Sequence, residues 1–541
     1  MPARCRAVAS VVVVLALSAG GFAAEPLHAR IDALIAAGHP NYAKEAAPVA
    51  GDAEFVRRIY LDLAGTIPSA AEARAFLDDT SPGKRATLID ALLAAPGYAR
   101  RMAQVFDVVL MERRPDAKVP RAAWDDYLRT TFTKNTPYDV FVRELLSADG
   151  TDPKTRPAAK FFLDRNLEPN LVTRDLGRVF LGRNLTCAQC HDHPHVGDYK
   201  QADYYGLLAF VNRSFLFPNA TAATAVIAEK ADGDVTFVSV FDKTKAVGAT
   251  GPRMPGAKPL DEPKFDKGKE YTTAPAKDVK PVPAYSRRAR LAAAVTSPDN
   301  PAFARTAANR LWAQLLGRGL VNPVENDHPG NPPSHPELLD LLTKEFAASQ
   351  YDVKWLVREI VLSRTYQRAS EVPAALADVP ADRYLVANLK PLSPEQFAYA
   401  AAEATGETGL ARTALAAKAT DAALDAKLAP VVAAFRGVFA GRPGEPEDGL
   451  TTTLDQTLFL KNGGVVRALT VAKAGNLADR LAKLPDDAAA DALFLAVLTR
   501  PATADEKADV AAAVKGAATR PAAFGELVWA LMASGEFRFN H

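Results

Sequence analysis

Cysteine is scarce in this sequence, with three residues in 541, which excludes a small secreted scaffold held together by many disulfides. No stretch after the first 25 residues approaches twenty consecutive apolar residues, so we expect no transmembrane helix in the mature chain. Basic and acidic residues nearly balance, 65 against 63, which gives a formal charge of +2. Because no charge of one sign dominates, the composition argues against a nucleic-acid partner.

Several catalytic signatures are also missing. The sequence has no GxSxG elbow, no HExxH helix, no Walker loop and no dinucleotide fingerprint that can be placed between a strand and a helix. Asp62, Glu325 and Asp327 could act as paired carboxylates in a glycosidase-like cleft. Scattered acids of this kind are usually surface or capping residues. The sequence alone therefore does not decide whether the protein is an enzyme.

The first 23 residues have the pattern of a secretory signal peptide. Two arginines precede an apolar run over residues 8–17, and small residues follow up to Ala23, where the simplest cleavage falls. Cys5 precedes the apolar run and is expected to leave with the leader. We therefore predict an exported protein, periplasmic or extracellular.

The mature chain is predicted to be mainly α. Apolar residues at helical spacing predict helices from the start, over Leu27–Ala37 and over residues 84–95 with Pro96 and Gly97 as the stop. Capping boxes, in which Ser or Thr is followed three residues later by Glu or Gln, predict four further helix starts. They pair Ser69 with Glu72, Ser334 with Glu337, Ser393 with Gln396, and Thr503 with Glu506.

The amino-acid composition and the apolar pattern of the chain change after residue 215. Residues 235–241 alternate like a strand, and residues 251–283 are crowded with proline and lysine. We therefore predict a helical domain over residues 24–215, a small β-rich insertion with a polar connector over 216–284, and a second helical domain over 285–541.

The motif Cys187-Ala188-Gln189-Cys190-His191 contains both cysteines that remain after removal of the leader. In an exported protein, CxxCH is typical of covalent c-type haem attachment. Cys187 and Cys190 would each bind one vinyl group, and His191 would be the axial ligand of the iron. The apolar pattern of residues 171–185 places the motif at a helix end. This interpretation predicts one haem c per chain, electron transfer or other redox chemistry, and a redox or other exported protein as partner.

Two other interpretations stay open. The CxxC pair could close as a disulfide in a non-catalytic secreted scaffold. It could also hold zinc or non-haem iron in a metal-dependent enzyme, with His191, His193 or His195 completing the ligand set.

The sequence assigns no second axial ligand to a haem iron. Met254, His328 and His335 are candidates by residue type. His193 and His195 follow His191 too closely to reach around a porphyrin to its opposite face.

Three segments of the first half resemble a known family. They are Arg57–Gly65, Leu185–Pro194 and Asp203–Gly206, and they are similar to the cytochrome-c-like domain of unknown function (PSCyt type) of exported planctomycete proteins. Asn309–Trp312, Gly317–Gly319, Asn331–Leu339 and Glu536–His541 resemble the domain of unknown function that usually follows it (PSD type). The two resemblances cover about residues 26–215 and 285–541.

The resemblance implies a secreted protein with a haem-like motif at Cys187, Cys190 and His191. This chain departs from the family pattern at two places. His195 stands where an aromatic residue usually follows His193-Pro194, and the turn at residues 326–328 is atypical.

Overall fold

The computed structural model describes residues 25–218, 225–373, 376, 379–447 and 452–541. The predicted signal peptide, with Cys5, lies outside the described residues. Within the described residues the chain has 25 α-helices and only two-stranded sheets, which confirms the prediction of a mainly α fold with a small β-rich insertion. None of these helices is both long enough and apolar enough to cross a membrane.

Fifteen of the helices in the described ranges precede residue 363. They are α1 (Leu27–Ala37), α2 (Tyr42–Glu45), α3 (Asp52–Leu63), α4 (Ala70–Asp78), α5 (Lys84–Ala94), α6 (Pro96–Met111), α7 (Arg121–Thr133), α8 (Tyr138–Ser147), α9 (Lys160–Leu163), α10 (Pro169–Leu181), α11 (Gln201–Val211), α12 (Arg287–Val295), α13 (Pro301–Leu316), α14 (Pro336–Ala348) and α15 (Val353–Leu362).

Ten helices and one short sheet complete the chain. The helices are α16 (Pro394–Ala404), α17 (Glu407–Leu415), α18 (Asp421–Phe439), α19 (Leu454–Asn462), α20 (Gly464–Thr470), α21 (Leu477–Leu481), α22 (Asp486–Leu498), α23 (Ala504–Gly516), α24 (Arg520–Ala533) and α25 (Gly535–Arg538). In the sheet, Lys390–Pro391 pairs antiparallel with Phe539–Asn540.

The described part of the insertion contains three antiparallel hairpins. They are β1 (Ser214–Phe217) with β2 (Val226–Glu229), β3 (Val235–Val238) with β4 (Val247–Thr250), and β5 (Tyr271–Thr273) with β6 (Val282–Pro283). The two short strands at residues 390–391 and 539–540 are β7 and β8. Strand β3 ends at Val238, so the strand predicted over residues 235–241 is shorter than the alternating pattern.

The largest hydrophobic core combines helices from both sides of the insertion. Its buried side chains come from residues 27–227 and from residues 291–384. Tyr138 of α8 stacks on Phe303 of α13, with ring centroids 5.2 Å apart. Because large aromatic side chains contribute most to burial, this contact joins the two segments firmly. Helices from both sides of the insertion therefore pack in one core.

A second core is built almost entirely from α16–α25. Phe397, Phe435 and Phe537 lie within it, and Leu61 and Ile67 reach it from the N-terminal part of the chain. The end of α3 therefore links the two cores.

Three of the four predicted capping boxes are confirmed. Ser69, Ser393 and Thr503 each accept a hydrogen bond from the third backbone amide of the helix that follows. The prediction at Ser334 is wrong: α14 begins at Pro336, and His335 is the residue before it. Proline favours the first helical position because its missing N–H would have no helical partner there.

The same preference corrects a second prediction. Pro96 does not only stop the helix before it but is the first residue of α6. A single residue, Ala95, therefore separates α5 from α6.

Candidate functional site

The CxxCH motif lies on its own turn. Helix α10 ends at Leu181 because Gly182 adopts a left-handed conformation with φ of 62°. A short connection follows, and Cys187–Gln189 form one turn of 3-10 helix. The prediction that the motif sits at the end of a helix is therefore wrong.

The connection to the motif is fixed by close backbone packing. The amide of Arg183 donates a hydrogen bond to the carbonyl of Gly177 at 2.9 Å. A Cβ atom on Gly177 would lie 2.8 Å from the carbonyl oxygen of Arg183, so only glycine allows this approach. Asp327 donates its amide to the carbonyl of Gly182 at 2.9 Å. The start of the connection is thus held by two backbone hydrogen bonds.

Both sulfur atoms of the motif are available. Cys187 and Cys190 are exposed and free, with no disulfide between them. Ala188 is completely buried and anchors the turn in a small core, and the hydroxyl of Tyr205 donates to the carbonyl of Gln189 at 3.1 Å. The middle of the turn is held by the protein while its two thiols face solvent.

The imidazole of His191 has a defined proton position. Its Nδ1 lies 2.6 Å from the carbonyl oxygen of Asp192. Because a carbonyl only accepts hydrogen bonds, Nδ1 carries the proton and Nε2 of the neutral ring carries the lone pair. Nε2 has no hydrogen bond within the described part of the chain. The carboxylate of Asp192 accepts the amide of Gln201 at 2.8 Å, which fixes the backbone that orients the ring.

His193 has the opposite arrangement. Its Nδ1 accepts the backbone N–H groups of His195 and Val196, at 3.2 and 3.0 Å. Burial lowers the pKa of His193, and the nearby His195 and His328 lower it further. The neutral ring therefore carries its proton on Nε2 and points a donor outward.

The turn around His328 reaches the motif from the second half of the chain. The ring of Tyr199 lies between those of His193 and His328, with centroid distances of 5.9 and 5.5 Å, and its hydroxyl donates to the carbonyl of Asp327 at 3.1 Å. Nδ1 of His328 accepts the amide of Gly330 at 3.1 Å. His328 thus resembles His193 and differs from His191 in the position of its proton.

These rings do not form a metal site. Among the described residues, no three His, Cys, Asp or Glu side chains lie together in an arrangement that could hold a metal ion. A neutral imidazole carries a lone pair on one nitrogen, and Nδ1 of His193 and of His328 already uses its lone pair to accept backbone amides. The geometry does not favour the interpretation of a zinc or non-haem iron centre.

Two other ligand candidates lie in packed surroundings. Met254 is partly buried against two of the hydrophobic cores. His335 is 6% exposed. Its Nδ1 forms a hydrogen bond with the hydroxyl of Ser334 at 3.1 Å, and its ring contacts that of Tyr384. His335 has a structural role at the start of α14.

The three candidate catalytic acids are paired with cations. Asp62 is buried and accepts hydrogen bonds from Lys390. Glu325 forms an ion pair with Arg178 at 3.0 Å, and Asp327 forms one with Arg305 at 2.7 Å. Each carboxylate is therefore engaged by its own cation, an arrangement typical of structural ion pairs.

The sequence did not identify Phe241 as part of this site. Its ring lies 4.6 Å from the ring of His191, and the amide of Val240 donates to the carbonyl of Cys190 at 3.0 Å. The alternating pattern of β3 extends to Phe241, but it carries no information about which helix or turn the strand meets.

Two clefts of the described residues are lined by other parts of the chain. One of about 510 Å³ is lined by Arg30, Leu34 and Lys344, and one of about 370 Å³ by His39 and Arg383. Cys187 and Cys190 line neither of these clefts and are exposed to solvent.

Fold and site together define a mainly α-helical protein that displays a CxxCH turn on its surface. Residues 30–215 match the PSCyt2 family, described as a protein of unknown function (DUF1549), and residues 287–413 match the PSD1 family, described in the same words (DUF1553). The chain carries these two domains in the predicted order, although the second match ends at residue 413. Comparisons with curated proteins and with solved structures found no significant match.

Proposed function

We propose that this protein is an exported c-type haem protein that transfers electrons. Cys187 and Cys190 bind one haem covalently, and Nε2 of His191 is an axial ligand of its iron. The observation that carries this proposal is the hydrogen bond from His191 Nδ1 to the carbonyl of Asp192 at 2.6 Å, which leaves the lone pair on the nitrogen that binds iron in proteins of this class.

The donor set fits covalent attachment. Each thiol would add across one vinyl group, so that a carbon–sulfur bond forms and the thiol proton passes to the other vinyl carbon. This addition needs no oxidant, but it does need free and reachable thiols, and Cys187 and Cys190 are both. A bound haem supplies the redox chemistry, and the protein residues attach, orient and shield it.

Surface exposure of the motif supports electron transfer. The thiols that would hold the porphyrin face solvent, so a redox partner could approach without a tunnel. The charge balance of the whole chain supplies no strong field for steering, and we expect the partner to be another exported protein.

The test is expression with its leader in cells that have a c-type haem maturation system. We expect a red periplasmic protein whose haem stays attached after denaturation and reappears on the tryptic peptide that contains Cys187 and Cys190. The double variant Cys187→Ser with Cys190→Ser should be colourless. Colourless wild-type protein would overturn the proposal, whether mass spectrometry then finds two free thiols or a disulfide.

A further inference from the structure

The β3–β4 hairpin carries an unusual apolar surface beside the CxxCH turn. Val238, Val240, Phe241 and Val247 have 41, 65, 73 and 68% of their surface exposed. Single exposed apolar residues are ordinary, but a contiguous group marks a surface that something covers. These four residues are called the hairpin patch below.

The hairpin is fixed to the helical body by its other face. Phe237 stacks on Tyr205 of α11, with ring centroids 4.8 Å apart and planes 14° apart. Gly248 lies opposite Phe237 and leaves room for its ring, because a Cβ at that position would lie 2.6 Å from a ring carbon. Side chains alternate along a strand, so the paired residues Val238 and Val247 face away from α11.

Two contacts join the patch to the motif, and a third joins it to Gln201 of α11. The amide of Val240 donates to the carbonyl of Cys190 at 3.0 Å, and Phe241 packs against His191 at 4.6 Å. The side-chain amide of Gln201 donates to the carbonyl of Val238 at 3.2 Å. The apolar surface therefore begins where the reactive thiols and the free imidazole nitrogen are found.

We propose that the hairpin patch is the apolar support of the haem and that Phe241 is a positioning residue for the imidazole of His191. This inference rests on the proposed function. A porphyrin held at Cys187 and Cys190 has to lie within reach of this turn, and its apolar ring needs cover that the open surface otherwise lacks. The patch is exposed and apolar, and it is in direct contact with the motif.

The chemistry of the patch predicts its effect on the iron. Apolar cover excludes water, and water stabilises the more highly charged oxidised state. Removing the ring of Phe241 should therefore lower the midpoint potential. It should also free the imidazole to rotate, which weakens the spectral features of axial histidine ligation.

The experiment compares matured wild-type holoprotein with Phe241→Ala and Phe241→Leu. Leu454→Ala is the matched control. Leu454 is 72% exposed, as Phe241 is, but it lies on α19, which packs in the second core and not beside the motif. Spectroelectrochemical titration gives the midpoint potential, and absorption spectra report the axial ligation. We expect a lower potential in Phe241→Ala, a value between it and wild type in Phe241→Leu, and the wild-type value in Leu454→Ala.

An unchanged potential and spectrum in Phe241→Ala would overturn the inference, and would leave a protein partner as the group that covers the patch. That result leaves the proposed function intact, because the wild-type protein would still carry covalent haem. Wild-type protein without covalent haem would overturn both. Circular dichroism of each variant checks that this exposed substitution leaves the fold unchanged.

Discussion

His191 and His193 carry their protons on opposite ring nitrogens. The Nδ1 of His191 donates to a carbonyl, whereas the Nδ1 of His193 accepts two backbone N–H groups. Two histidines that are almost adjacent in sequence are therefore chemically distinct. Nε2 of His191 can donate a lone pair to a metal ion, whereas Nε2 of His193 carries a proton and can donate a hydrogen bond.

This difference predicts which histidine is essential. In matured protein, His191→Ala should keep the covalent haem but lose the spectrum of histidine-ligated iron, because the thioether bonds do not depend on the axial ligand. Added imidazole should restore that spectrum. His195→Ala is the matched control, since His195 is exposed and lies in the same loop. A wild-type spectrum in His191→Ala would contradict the assignment.

The second axial position should be open to added ligands. Met254 packs against two cores, and Nδ1 of His328 is engaged by the amide of Gly330, so binding iron through either residue would break existing contacts. We expect carbon monoxide to change the absorption spectrum of the reduced protein at micromolar to millimolar concentration. A six-coordinate spectrum that carbon monoxide does not alter would contradict this, and Met254→Leu would then show whether Met254 is the ligand.

Gly177→Ala should damage the approach to the motif. The added methyl group would meet the carbonyl oxygen of Arg183 at 2.8 Å, so the backbone before Cys187 has to move, at a cost of about 1–3 kcal/mol. Thermal denaturation should show a lower midpoint, and the yield of covalent haem should fall. Gly197→Ala is the control, because nothing lies within 4 Å of a Cβ at Gly197. Equal stability of the two variants would show that the close approach is unimportant.

The buried pair of Asp62 and Lys390 predicts a large effect on stability. Lys390 Nζ donates to both carboxylate oxygens, at 2.6 and 2.7 Å, and Tyr366 and Asn540 donate to the same group. Asp62→Asn leaves a buried ammonium without its counter-charge, and we expect a loss of about 3–5 kcal/mol. Chemical denaturation followed by circular dichroism measures the change.

Two further variants test the cause of that loss. Asp62→Asn with Lys390→Met removes both members of the ion pair, so the double variant should be more stable than Asp62→Asn alone. Asp266→Asn removes an exposed pair with Lys269, whose side chains are 81 and 74% exposed, and should change stability by less than about 1 kcal/mol. A double variant no more stable than Asp62→Asn would show that hydrogen bonding, not charge, dominates this cluster.

The parts of the fold that depend on neighbouring residues could be predicted from the sequence. The bounds predicted for the first helix, Leu27–Ala37, agree with the structure, because spacing and a flanking proline act locally. The capping boxes at Ser69, Ser393 and Thr503 form for the same reason. The capping box predicted at Ser334 does not form, because Pro336, two residues further on, has a stronger preference for the first helical position.

Contacts between distant segments could not be predicted. The sequence identified Cys187, Cys190 and His191 by their spacing, but the proton position of His191 depends on how the next peptide group turns. The contact with Phe241 depends on where the insertion folds back. Likewise, no local pattern showed that Tyr138 stacks on Phe303, and the two sides of the insertion were therefore assigned to separate domains.

The largest core has a consequence for the order of folding during synthesis. A chain made from its N-terminus presents α1–α11 first, yet these helices share their core with residues 291–384, so that core closes only after the later segment has been made. The CxxCH segment is therefore complete while the helices that will pack beneath it still lack part of their core. Cys187 and Cys190 would be accessible on a partly folded chain, and the β3–β4 hairpin would pack against His191 afterwards.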